Sequence, residues 1–236
     1  MFASVLTKIG SAAFATSGAL AYASPEAVLR ILGIPESKDN SAMCNMRAMG
    51  AWQLCASSVL LAGLGGAVFA AGVSLLAASV ASLAVVPAWE PMGRPVGPQM
   101  PGIFAFAALG WLTLAEMVSP WVSASVYLLL GPLIYATPVA TAKLYMITEP
   151  MSKLAYSLLT LAGGNIAISG VYVAALAYGL SQPQCFAIAC ATNSAIALKW
   201  VLLEADGLEA PKLAPLLWAA ISALLAAAVL HPVHGS

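Results

Sequence analysis

YASPEAVLRILGIPE, residues 22–36, returns 113 positions later as YATPVATAKLYMITE, residues 135–149. Tyr22 matches Tyr135, Pro25 matches Pro138, Arg30 matches Lys143 and Glu36 matches Glu149. Each copy follows one apolar run and precedes another. The residue before a proline avoids the α region, so Ser24-Pro25 and Thr137-Pro138 each end a helix. Beyond Pro25, the apolar Ala27, Val28, Ile31 and Leu32 alternate with Glu26 and Arg30. That pattern reads as a short amphipathic turn lying at a membrane interface. One connector used twice predicts a duplicated helical bundle.

Composition assigns the bundle to a membrane. Of 236 residues, 61% are hydrophobic and 8% are charged, against about 25% charged in soluble domains. The apolar residues are spread along the whole chain, which leaves no soluble domain over. Nine Lys or Arg balance nine Asp or Glu, with no basic block, so nucleic acid is excluded as a partner. Ala21-Tyr22-Ala23 would suit signal peptidase. Lys8, however, lies inside the apolar run rather than ahead of it, so residues 1–23 read as a mature helix.

A spanning helix takes about 20 apolar residues. Eight candidates result: 3–23, 42–64, 67–86, 102–118, 121–136, 153–180, 184–203 and 212–230. Pro87 closes the third. Residues 88–101, with four prolines and two glycines, read as an irregular loop. Pro132 marks the short fifth helix for a kink. The expected fold is an all-α membrane protein of eight transmembrane helices, in two four-helix repeats (1–118 and 119–236). Gly50 falls on Gly163. An even number of helices per repeat keeps both in the same orientation, the parallel kind of repeat.

Alternating the helices across a bilayer puts Arg30, Lys38, Arg47, Arg94, Lys143, Lys153, Lys199 and Lys212 at one face. Lys8 alone lies toward the other. The positive-inside rule makes the charged face cytoplasmic, matrix or stromal, with both termini opposite.

Six intramembrane polar residues are candidates for a structural or functional role: Lys8, Glu116, Gln53, Asn165, Asn193 and Arg47. Buried membrane charges are rare and usually paired, so Lys8 and Glu116 are expected to meet across the first and fourth helices. The alternative is a proton-carrying carboxylate at Glu116. Asn165 and Asn193 sit near the middles of the sixth and seventh helices, opposite Trp52 and Val80 of the other repeat. Amides at that depth either bond a neighbouring helix or bind a substrate or a pigment magnesium. A depth difference of about 9 Å at helical rise keeps Asn165 and Asn193 from bonding each other.

Cys44, Cys55, Cys185 and Cys190 form no C-x-x-C pair and have no nearby His, which reads as packing rather than a metal site. The only histidines, His231 and His234, lie in the C-terminal tail, so a His-ligated haem inside the bundle is excluded. No cofactor is expected; structural lipids are.

Pro25, Leu29-Arg30 and Gly33, followed by Arg47 and Gly50-Ala51 opening a helix, resemble the DoxX-like group of small four-helix membrane proteins. The second half keeps Pro138, Lys143 and Gly163 but carries Thr160 in place of Arg47. The resemblance implies a four-helix bundle per repeat.

The small-residue faces and the lack of a catalytic motif point to a non-catalytic accessory subunit of a large energy-transducing membrane complex. Its partners would be other subunits and lipids, in the mitochondrial inner membrane, as part of the respiratory chain, or in a plastid photosystem of the thylakoid. The alternative is a small-solute transporter with a cavity between the repeats, near Asn165, Gln53 or Asn193.

Overall fold

The computed structural model describes residues 2–34, 40–93, 97–148, 150–208 and 212–230. Glu36, Lys38, Arg94, Glu149, His231 and His234 lie outside them. The described residues form ten α-helices and no strand: α1 (Phe2–Ala23), α2 (Pro25–Ile31), α3 (Asn40–Ala62), α4 (Ala67–Trp89), α5 (Met100–Leu114), α6 (Pro120–Ala136), α7 (Pro138–Leu144), α8 (Lys153–Ala177), α9 (Gln182–Leu203) and α10 (Leu213–Leu230).

Among the described residues, five stretches are long and apolar enough to cross a membrane: Asn40–Gly65, Ala67–Met92, Lys153–Ala177, Gln182–Leu203 and Leu213–Leu230. A sixth results if α6 and α7, bent by 112° at Thr137, count as one broken span. Eight spans were expected from the sequence. In α1, Lys8 and several Ser and Thr residues dilute the apolar run. With 15 residues, α5 is about 22 Å long at helical rise, short of the hydrocarbon core of about 30 Å.

Among the helix boundaries that differ from expectation, two have an evident physical reason. α4 runs through Pro87 to Trp89. There Trp89 is held by its indole N–H on Asn45 Oδ1 (3.0 Å) and by the Tyr145 ring, 5.5 Å away. At the other end of the next helix, α5 stops at Leu114 rather than Val118. Glu116 takes φ +59°, and the Met117 N–H returns to the Leu112 carbonyl. Glu116 thus occupies the left-handed position that closes a helix, one usually held by glycine.

Several local geometries recur 113 positions apart. Gly33 has φ +71° and Met146 φ +56°. Ile34 N–H bonds the Leu29 carbonyl as Ile147 N–H bonds that of Ala142. Methionine adopts this conformation at a steric cost that glycine escapes, yet the turn is the same. At the crossing of α1 and α3, a Cβ on Gly50 would lie 2.6 Å from both the Gly18 carbonyl oxygen and the Tyr22 nitrogen. Where α6 meets α8, a Cβ on Gly163 would lie 2.6 Å from the Tyr135 nitrogen and 2.9 Å from the Gly131 carbonyl oxygen. Backbones this close tolerate no side chain, the small-residue contact of membrane helices.

The most buried helices, α3 and α8, form the centre. The Ser152 N–H meets Ser41 Oγ at 3.4 Å and the Asn45 amide meets the Ala155 carbonyl at 3.0 Å. Further along, the Tyr172 hydroxyl reaches the Leu60 carbonyl at 3.2 Å. Partners advance together along both helices, so α3 and α8 run parallel. The connectors that precede them, α2 and α7, therefore stand at one end of the bundle. α5 and α10 lie outermost, each packed mainly against the preceding long helix.

Candidate functional site

Gln53, Asn165 and Asn193 come together in one cavity of about 380 Å³, walled by α1, α3, α8, α9 and α10 and reached by α2 at the connector end. Their side chains are buried, 9%, 9% and 6% exposed. Gln53 is 13 residues into α3, about 20 Å from its start at helical rise, so the trio sits deep in the bundle. Each amide donates to the wall. Gln53 Nε2 reaches Ser17 Oγ at 2.7 Å, Asn193 Nδ2 reaches Ser222 Oγ at 2.7 Å, and Asn165 Nδ2 reaches the Met49 carbonyl at a long 3.5 Å. Asn165 and Asn193 do not bond each other. Among the described residues, nothing donates to the three carboxamide oxygens.

Apart from Ser17, the rest of the lining is apolar or aromatic. It includes Met46, Met49, Leu158, Leu161, Trp200 and Trp218, and among the described residues it has no charged side chain. Trp218 also meets Phe14 of α1, ring centres 5.5 Å apart, which bridges α1 and α10. A pocket of this size, apolar with a few placed polar groups, is the usual form of a small-molecule site.

A second cavity, about 210 Å³, lies on the other side of the α3–α8 pair. Most of its lining is displaced by 113 positions from that of the first. Leu130, Tyr145, Leu159, Ile166, Trp52 and Gly102 stand there where the larger cavity has Ser17, Leu32, Met46, Gln53, Asn165 and Pro215. At three matched positions the polar Ser17, Gln53 and Asn165 of the larger cavity give way to Leu130, Ile166 and Trp52, while Ser82 and Gln99 add polar groups to the smaller one.

The remaining sequence candidates fall elsewhere. Lys8 and Glu116 are both exposed, and among the described residues no ion pair joins them. Glu116 belongs to the turn that ends α5, not to a helix facing α1. Arg47 is exposed on α3, where its stem can carry the guanidinium toward an interface. The four cysteines are free and buried.

Sequence reading missed a polar cluster at the connector end. Glu204 accepts from Lys199 Nζ and Ser157 Oγ, and the Trp200 indole donates to Ser157 Oγ at 2.6 Å. Lys199 Nζ also lies 4.6 Å from the Tyr135 ring centre. The repeat gave no hint of it, because the positions matching Lys199 and Glu204 are Val86 and Pro91. Asn45, fully buried between α3, α4 and α8, was missed because one Asn near a helix start reads as a surface residue.

No protein-family model, no curated protein and no solved structure matches the chain.

Proposed function

We propose that the chain is a multi-pass membrane protein, formed by tandem duplication of a DoxX-like four-helix unit, that binds and carries a small solute between its two halves. In this reading both units cross the bilayer in the same orientation, eight spans in all, with α1 and α5 as the least apolar and the shortest. The exposed Arg30 and Lys143 mark the cytoplasmic or matrix face. The observation that carries the functional reading is the cavity where Gln53, Asn165 and Asn193 converge, their carboxamide oxygens accepting no bond from the described residues. The recurring 113-residue offset of turns, glycine crossings and cavity linings supports the duplication.

A second reading keeps the chain as a non-catalytic subunit of an energy-transducing complex, in the mitochondrial inner membrane or a thylakoid. Its support is α10, of which 17% of the most apolar stretch is buried within the chain, leaving a long face for a neighbouring subunit or for lipid. Native electrophoresis in mild detergent, with mass spectrometry of the migrating band, separates the two. A carrier migrates alone or as a small oligomer. Co-migration with a large set of other chains favours the subunit.

A further inference from the structure

The geometry points to the ligand class of the larger cavity: a neutral, amphipathic molecule with a hydrogen-bond donor on a ring at one end and an apolar body at the other. This inference rests on the solute-binding reading above and adds the chemistry of the solute. Three features of the wall carry it. The deep end offers carboxamide oxygens from Gln53, Asn165 and Asn193 that accept nothing from the described residues. A hydroxyl or N–H on the ligand can donate to them, and a ligand without a donor would cover them unpaired, which is costly. Among the described residues the wall has no charged side chain, so an ionised ligand would find no counter-charge there. From the carboxamides toward α2 the lining becomes Met46, Leu158, Val28 and Ile31, which suits an apolar tail. Trp218, one turn from Ser222 on α10, stands beside the Asn193 carboxamide, where an aromatic ring packs against it.

The sister cavity supplies the control. There Trp52 and Ile166 replace Asn165 and Gln53, and the space is about 210 rather than 380 Å³. In this reading duplication has left one site with three converging carboxamides and a smaller one with an indole in place of Asn165.

The test uses the full chain in mild detergent and three probes of matched length: 4-octylphenol, octylbenzene and 4-octylbenzoate. Binding is followed by tryptophan fluorescence and by native mass spectrometry. 4-Octylphenol is expected to bind about tenfold more tightly than octylbenzene, as one good hydrogen bond allows, and 4-octylbenzoate the weakest of the three. Asn165→Trp, which installs the sister cavity's residue, is expected to abolish binding, and Asn165→Leu to remove the preference for phenol over octylbenzene. Trp52→Phe, in the other cavity, is expected to leave binding unchanged. Equal binding of all three probes, or a preference for the benzoate, overturns the ligand class while the site survives, provided that Asn165→Trp blocks it. Binding that Asn165→Trp does not touch, or no binding by any probe, overturns the site itself.

Discussion

The two cavities flanking α3 and α8 match at most positions of the smaller one and differ in polarity at three of them. One presents Ser17, Gln53 and Asn165; its counterpart presents Leu130, Ile166 and Trp52. The backbone around them is the more constant feature. The same glycine crossing holds α1 to α3 and α6 to α8, and the same left-handed turn follows α2 and α7. Helix contact and turn geometry persist where side chains diverge, because backbone clashes are absolute while a cavity wall tolerates many fillings. The lining of a cavity can therefore differ between the two halves without disturbing the frame.

The largest effect is expected at the glycine crossings. Gly50→Leu and Gly163→Leu each push a side chain into a neighbouring backbone and should destabilise by about 1–3 kcal/mol or more, read as a fall in Tm in detergent. Similar losses at both sharpen the comparison; a large loss at one alone breaks it. Asn45→Leu installs the residue of its counterpart, Leu158. It removes the bonds of Asn45 to the Trp89 indole N–H and to the Ala155 carbonyl, and should cost about 1 kcal/mol or more. Urea or thermal unfolding measures it, and no loss would mean that the two halves are interchangeable here.

Smaller effects separate the halves more finely. Lys199→Met removes an ion pair whose side chains are 34% and 20% exposed, worth under about 1 kcal/mol. Its loss should shrink further as salt is raised, which a Tm series against salt checks. Tyr22→Phe removes a 3.2 Å hydrogen bond to the Ala84 carbonyl, about 0.6 kcal/mol on the scale of membrane side-chain bonds. Tyr135→Phe should cost less still, because no hydrogen bond of its hydroxyl occurs among the described residues. Equal losses at Tyr22 and Tyr135 would contradict that difference.

Much of the helical frame was legible in the sequence, because apolar length and X-Pro breaks act locally. Ser24-Pro25 and Thr137-Pro138 mark their boundaries without any tertiary information. Gln53, Asn165 and Asn193 stood out because carboxamides are conspicuous in apolar helices. Their meeting in one cavity depends on how α3, α8 and α9 rotate about their axes, which no local pattern encodes. Lys8 and Glu116 misled for the same reason. A count of charges suggested a pair, while the α5 terminus placed Glu116 in an exposed turn. The continuation of α4 past Pro87 depends on Asn45 and Tyr145, partners distant in the chain. The Lys199–Glu204–Ser157 cluster has no counterpart in the first half, so comparing the copies concealed it.

The account depends on both halves passing through the bilayer in the same direction. Single cysteines at Arg30 and Lys143, both exposed in the connectors, can be placed in a variant lacking the four native cysteines and labelled in sealed vesicles with a membrane-impermeant maleimide. Labelling of both positions from one side of the membrane is the predicted result; labelling from opposite sides would contradict it.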